Sequence, residues 1–257
     1  MIVGGIEYFE AGEGPAVVFL HGIGGEAELF GPHLELPGFR GVAWNMPGYG
    51  QSETGAWPPS FASLSLSLAG FVGALGADRV HLVGHSIGGM LALEHAVRRP
   101  EQVASLTLIG TTPAFGGPDE SFKRDFLEAR LGPLDAGQTM EEMAEHAAPG
   151  LVGPEAEPGC VSDIARAMGR VPEATWRGIL ECLVTFNRRD DLGAVEVPVC
   201  LIAGSEDRNA PARTMARMAE KMSGAEYHEL EGIGHMIAQE APGQVAEILR
   251  DFLRRRG

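Results

Sequence analysis

The sequence predicts an α/β fold in which a mostly parallel central sheet is flanked by helices. Short apolar runs rich in β-branched residues, typical of buried strands, alternate along the chain with segments of helical periodicity. Strands that alternate with helices pair in parallel, because each crossover helix carries the chain back across the sheet. Residues 113–192 break this alternation, since they contain helical pieces but no convincing strand and are too long for a loop.

The core elements follow from the apolar pattern in chain order. An edge strand is predicted at 2–10, and the dense apolar run that follows is predicted to be a buried strand. The predicted strands after the first are 16–20, 41–45, 80–83, 103–109, 197–203 and 226–230. The predicted core helices are 26–36, which Gly31-Pro32 interrupts, and 61–75, 87–99, 212–222 and 242–255.

The long segment is predicted to be a helical lid, or cap, at 113–192, inserted into a core made of 1–112 and 193–257. Clusters of Pro and Gly separate its helical pieces. These pieces are predicted at 119–131, 139–147, 161–168 and 173–186. The lid carries many bulky apolar residues, and we expect Phe126 and Trp176 of this segment to contact the substrate together with Met236 of the core.

Composition narrows the class of protein. The chain has 257 residues, of which 44% are apolar and 21% charged, as in an ordinary globular protein. The formal net charge of −15 makes nucleic acid and anionic membranes unlikely partners, so we expect a small-molecule substrate. We expect no signal peptide and no transmembrane helix. Three widely spaced cysteines predict neither a disulfide framework nor a zinc site, and a reducing cytoplasm is the expected location.

Ser86 lies on the joint between a predicted strand and a predicted helix, in the pattern Gly84-x-Ser86-x-Gly88. A strand that turns sharply into a helix leaves little room, and glycines two residues before and after remove Cβ atoms that would clash. The turn exposes the Ser86 hydroxyl at the N-terminus of the helix, where the dipole favours negative charge. This arrangement is typical of a nucleophile elbow.

A serine nucleophile needs a base, and the base needs an acid that orients it. Asp207 follows one predicted strand and His235 follows the last, so both should emerge at the carboxyl edge of the sheet beside Ser86. Glu206 remains an alternative acid. His21 is expected to brace its loop and His85 to fill the elbow. The other histidines are expected to lie in the packing or on the surface, namely His33, His81, His95, His146 and His228.

The same chemistry needs backbone N–H donors for the oxyanion. Ile87, the residue after the nucleophile, offers one N–H group. The glycine-rich loop His21-Gly22-Ile23-Gly24-Gly25 follows a strand and is expected to offer the second, from Ile23. No group of His, Cys and carboxylate residues has the spacing of metal ligands, so we expect neither a metal nor a cofactor.

These motifs together resemble the α/β-hydrolase-fold superfamily over essentially the whole chain. The matching residues are 84–89, His21-Gly22, Asp207 with Pro211, and Gly234-His235. The resemblance implies a triad of Ser86, His235 and Asp207, an oxyanion hole at Ile23 and Ile87, and a helical lid inserted after the sixth strand. Within the superfamily, residues 46–52 and 186–192 are most similar to 3-oxoadipate enol-lactonase and related hydrolases of small esters and lactones.

The expected function is hydrolysis of a small carboxylic ester, lactone or thioester through an acyl-enzyme on Ser86. A carbon–carbon bond hydrolase of ring-cleavage products would use the same triad, although that group often has asparagine where His85 stands. A third alternative is a signal-binding receptor on a retained hydrolase fold, which an ester turnover assay separates from the enzymes. Ser86 argues against the members of this fold that use a carboxylate nucleophile.

Overall fold

The computed structural model describes residues 1–116 and 120–256, which contain an eight-stranded sheet in the order β1-β2-β4-β3-β5-β6-β7-β8. β1 pairs antiparallel with β2 and β2 with β4, while all other neighbours are parallel. The predicted α/β fold with a mostly parallel sheet is confirmed. The strands are β1 (Ile2–Val3), β2 (Ile6–Gly12), β3 (Ala16–Leu20), β4 (Arg40–Trp44), β5 (Val80–His85), β6 (Val103–Ile109), β7 (Val199–Gly204) and β8 (Glu226–Leu230).

Helices flank this sheet, and none of those in the described ranges is both long and apolar enough to cross a bilayer. The core contains α1 (Phe61–Ala74), α2 (Ile87–Arg98), α7 (Ala212–Lys221), α8 (Ile237–Glu240) and α9 (Pro242–Arg254). Between β6 and β7 the chain forms α3 (Glu120–Asp135), α4 (Met140–Ala147), α5 (Pro158–Gly169) and α6 (Glu173–Leu183).

Two predicted core elements differ in the structure. The strand predicted at 2–10 is a hairpin of β1 and β2, because Gly4 and Gly5 adopt φ values of +56° and +77° and form a two-residue turn. The helix predicted at 26–36 is a 3₁₀ helix, Ala27–His33, with Pro32 inside it. Proline has no N–H to continue an α-helical ladder, so only the tighter, shorter element forms.

Alternating strand side chains build a core on each face of the sheet. Val18 and Leu20 of β3 point into one core and Val17 and Phe19 into the other. The first core continues into the segment between β6 and β7, where Leu180 of α6 is fully buried in it. These four helices are therefore packed onto the sheet's own hydrophobic core.

The two ends of this helical segment lie side by side. The Phe115 N–H donates to the Phe186 carbonyl (2.9 Å), and the Arg188 N–H donates to the Pro113 carbonyl (2.8 Å). Both ends therefore leave the sheet at one place, between β6 and β7. The helix predicted from residue 119 begins at Glu120 in the described chain, since Asp119 lies outside the described residues.

Candidate active site

Ser86 occupies a strained turn between β5 and α2. Its φ of 56° is the only positive value at a non-glycine position in the described part of the chain. A Cβ at Gly84 would lie 2.3 Å from the Gly88 carbonyl oxygen, and a Cβ at Gly88 would lie 2.1 Å from the Leu20 oxygen. Only glycine fits at these two positions, so the local sequence maintains a conformation that costs energy and is characteristic of functional sites.

Three side chains that are distant in sequence meet at this turn. His235 Nε2 lies 3.1 Å from Ser86 Oγ, and His235 Nδ1 lies 2.8 Å from Asp207 Oδ2. Asp207 follows β7 and His235 follows β8, so adjacent parallel strands deliver both to the edge where β5 ends. With Nδ1–H donating to the carboxylate, Nε2 is free to accept the serine proton.

The Asp207 carboxylate is held in its ionised form. Burial by itself would raise its pKa, but the hydrogen bond from His235 and those from the Ala210 and Asn209 N–H groups outweigh burial and lower the pKa. The alternative acid, Glu206, is exposed and has no hydrogen bond to His235 within the described ranges. The geometry therefore pairs Asp207, and not Glu206, with the histidine.

Three hydrogen bonds of His21 and Tyr49 hold the loop that carries Ile23 in place. His21 Nδ1 donates to the Gly22 carbonyl (2.8 Å), His21 Nε2 accepts from the Met46 N–H (3.0 Å), and Tyr49 Oη donates to the Ile23 carbonyl (2.7 Å). Burial lowers the pKa of His21 to about 4, so the ring is neutral and can both donate and accept. These contacts agree with the bracing role expected for His21.

Two backbone donors remain available near Ser86. In the chain as described, the N–H groups of Ile23 and Ile87 have no acceptor. Ile23 lines the cavity around Ser86, and Ile87 is the first residue of α2, where helical N–H groups have no partner of their own. Within the described residues, both predicted oxyanion donors are thus free of an acceptor.

His85 supports His235 rather than acting beside it. Its Nε2 donates to the His235 carbonyl (2.8 Å), and the two ring centroids are 4.9 Å apart. Burial, together with the neighbouring His235, lowers the pKa of His85 to about 3. A neutral His85 therefore positions the backbone of the histidine that faces Ser86.

Sequence reasoning missed Glu240, which ties the loop of His235 to the helical segment. Its carboxylate accepts from the N–H groups of Gly153 (2.7 Å), Gly234 (3.0 Å) and Met236 (3.1 Å). In addition, the His235 N–H donates to the Leu151 carbonyl (2.7 Å). The only signal in the sequence is an acidic residue shortly after the histidine, which does not by itself indicate these partners.

A cavity of about 660 Å³ opens at Ser86 between the sheet edge and the helical segment. Phe126, Trp176 and Met236, the three predicted contact residues, all line it. Other lining residues come from both parts of the chain, including Ile23, Phe115, Met143, Leu151 and Met168. Within residues 1–116 and 120–256, no three His, Cys, Asp or Glu side chains are grouped as a metal site would need. The cavity walls are mainly apolar, as in most sites for small organic molecules.

Comparison with known proteins agrees with this architecture. The "Putative carbamate hydrolase RutD" of Variovorax paradoxus is 28% identical, and the match covers 95% of this chain and 93% of the relative. Strigolactone esterase D14 of Arabidopsis thaliana is 27% identical over 95% of this chain and 94% of its own. Among solved structures, the enol-lactonase of Burkholderia xenovorans superposes with a TM-score of 0.88 and 21% identity, covering 98% of both chains.

A family model also matches this chain, in addition to the individual relatives. The model of the α/β-hydrolase fold family matches residues 15–242, which span β3 to the start of α9. The matched region contains Ser86, Asp207 and His235 together with the helical segment between β6 and β7. The chain belongs to the α/β-hydrolase family.

Proposed function

We propose that this protein is a serine hydrolase that cleaves a small carboxylic ester, lactone or thioester through an acyl-enzyme on Ser86. One observation carries the proposal: Ser86 Oγ lies 3.1 Å from a histidine nitrogen whose ring partner is 2.8 Å from a buried carboxylate. This is the separation that a nucleophile and its general base need for proton transfer.

The proposed reaction has two halves. His235 Nε2 takes the Ser86 proton while Oγ attacks the carbonyl carbon, and the N–H groups of Ile23 and Ile87 stabilise the negative oxygen. The tetrahedral intermediate then collapses, His235 returns the proton to the leaving alcohol or thiol, and the acyl group stays on Ser86. Water then attacks the acyl carbon while His235 takes one of its protons, and His235 returns that proton to Ser86 Oγ as the acid is released.

We propose that residues 113–192 act as the lid of this site and that the core supplies the chemistry. Ser86, His235 and Asp207 all lie outside this segment, while Phe126 and Trp176 within it line the cavity. A cover of this kind excludes water and selects substrates by size. The relatives' names refer to a carbamate hydrolase, an esterase and an enol-lactonase, which supports a small substrate for this chain.

We also propose the cytoplasm as the location. Cys160, Cys182 and Cys200 are all free thiols. Free cysteines are typical of a reducing compartment.

Turnover of p-nitrophenyl acetate by wild type and Ser86→Ala tests the proposed function. Loss of the nucleophile should leave only residual catalysis, roughly 10³–10⁴-fold above water. Ser223→Ala, an exposed serine far along the chain, is the matched control and should keep wild-type turnover. Turnover of Ser86→Ala at the wild-type rate would disprove the proposal, and an inert wild type that still binds small esters would favour the receptor alternative.

A further inference from the structure

The cavity at Ser86 is richer in positive than in negative side chains. Among the described residues, the Arg and Lys side chains on its wall are Arg130 and Arg208, and the only acidic one is Asp125. The chain as a whole has a formal net charge of −15, so the charge of these two guanidinium groups is opposite in sign to that of the whole chain. A local excess of one sign inside a cleft favours a ligand of the other sign.

Arg130, on α3, is the more buried of the two. Its guanidinium carbon lies 3.5 Å from the centre of the Phe126 ring, and Nη1 donates weakly to the Phe126 carbonyl at 3.4 Å. Burial lowers the pKa of Arg130 to about 10, so the group remains charged at neutral pH. The aromatic face and one carbonyl fix the orientation of the guanidinium without neutralising its charge.

No carboxylate in the described chain pairs with Arg130. Asp125, the acidic side chain that the described residues place on the cavity wall, instead accepts from Arg124 at 3.2 Å. Arg188, another partly buried arginine of this chain, differs from Arg130 because it is paired with carboxylates. Its side chain is 23% exposed and binds Glu94 through two nitrogens (2.6 and 3.0 Å) and Asp191 through a third (3.1 Å).

Arginine has five N–H donors in a planar fork that matches the two oxygens of a carboxylate. Among the described residues the Arg130 guanidinium makes one long hydrogen bond, so most of its donors are free to bind the oxygens of a ligand. Because Arg130 shares its cavity with Ser86, that ligand is most simply part of the molecule that Ser86 attacks.

We propose that Arg130 binds a carboxylate of the substrate, so that the natural substrates are esters or lactones carrying a carboxylate away from the scissile bond. This inference rests on the proposed hydrolase function and adds the chemical class of substrate. The Phe126 ring is the surface on which the Arg130 guanidinium is held.

Two matched pairs of esters test the inference. The first pair, mono-p-nitrophenyl pimelate and p-nitrophenyl heptanoate, differs by a carboxylate on the acyl side. The second pair, 4-carboxyphenyl butyrate and phenyl butyrate, differs by a carboxylate on the leaving group. For each ester, kcat/KM is measured for wild type, Arg130→Met and Arg130→Lys. Arg217→Met is the control, since Arg217 is an exposed arginine of α7 that does not line the cavity.

In at least one pair, wild type should prefer the anionic ester, and Arg130→Met should lower kcat/KM for that ester by about 10- to 100-fold, as expected for a lost charged hydrogen bond. The neutral ester should be nearly unaffected, Arg130→Lys should restore part of the preference, and Arg217→Met should behave as wild type. Labelling of Ser86 by a small fluorophosphonate verifies that each variant is folded and competent.

The inference is overturned if Arg130→Met changes both members of each pair by the same factor, or if wild type shows no anionic preference in either pair. Failure of the proposed hydrolase function would look different. In that case wild type would hydrolyse no ester of the panel, and the fluorophosphonate would not label Ser86.

Discussion

Asp207 Oδ2 lies 2.8 Å from His235 Nδ1, although 28 residues separate them in sequence. The second carboxylate oxygen, Oδ1, is occupied by the N–H groups of Asn209 and Ala210. The carboxylate is therefore fixed from one side by its own loop and can act on His235 only from the other. This contact selects the histidine tautomer that can accept the Ser86 proton.

Replacing Asp207 tests that contact. Asp207→Asn should lower kcat by about 10⁴, because the amide no longer enforces the required tautomer of His235. Glu206→Gln is the neighbouring control and should retain nearly full activity, since Glu206 is exposed. Steady-state kinetics on one ester compare the two variants, and a mild Asp207→Asn with a severe Glu206→Gln would reverse the assignment of the acid.

Glu240 should matter to catalysis without touching the substrate. Glu240→Ala leaves the N–H groups of Gly153 and Gly234 without their acceptor, and leaves the Met236 N–H only its 3.3 Å contact with the Leu151 carbonyl. The expected cost is about 1–3 kcal/mol in the free energy of unfolding. Because Gly234 and Met236 flank His235, the rate of Ser86 labelling by a fluorophosphonate should also fall. Urea unfolding and labelling kinetics measure the two effects.

The exposed Glu247 of α9 provides the control for Glu240. Glu247→Ala should change neither the unfolding free energy nor the labelling rate. If Glu240→Ala lowers stability but labels Ser86 as fast as wild type at a temperature where both are folded, Glu240 does not position His235.

Stability should fall as the pH is lowered from 7 to 5. His21, His85 and His95 are buried, and burial lowers their pKa values to about 4, about 3 and about 4. In the unfolded chain histidine binds its proton near about pH 6.5, so below that value the unfolded state holds more protons than the folded state. Each of these histidines should then reduce the unfolding free energy by up to about 1.4 kcal/mol per pH unit.

Urea titrations between pH 7 and 5 measure how the unfolding free energy changes with pH. This range lies above the ordinary pKa values of carboxylates, so their titration contributes little to the slope. His95→Gln should reduce the slope by the share of one histidine, since His95 is fully buried on α2 and bonds Ser65 rather than the site. An unfolding free energy that stays level over this pH range would contradict the prediction.

Substitutions on the cavity side of the helical segment should alter substrate ranking. Phe126→Ala and Trp176→Phe should change the relative kcat/KM of esters by chain length, because each methylene in an apolar pocket contributes about 1–3 kcal/mol. Fluorophosphonate labelling of Ser86 should stay largely intact. Leu66→Ala, at an exposed position of α1, is the control. A uniform loss of labelling and of all ester rates would mean that the segment acts only on core stability.

The sequence predicted those features that depend on local pattern and strand order. The spacing of glycines around Ser86, at 84 and 88, indicates by itself a sharp turn between a strand and a helix. The carboxyl ends of parallel strands lie at one edge of the sheet, which brings Asp207 and His235 to the same side. Glu240 was not predictable, because its partner Gly153 is reached only after the helical segment has packed against the loop of His235. The same holds for the guanidinium of Arg130, because only the three-dimensional structure shows that no carboxylate among the described residues pairs with it.

The most direct test of the account is to measure the mass of the peptide that contains Ser86 during turnover. Wild type is mixed with p-nitrophenyl butyrate, quenched in acid within the first turnovers, digested and examined by mass spectrometry. The account predicts that the peptide containing Ser86 gains one butyryl group, and that Ser86→Ala yields no acylated peptide. Rapid hydrolysis with the adduct on another residue, or hydrolysis by Ser86→Ala at the wild-type rate, would contradict the central claim.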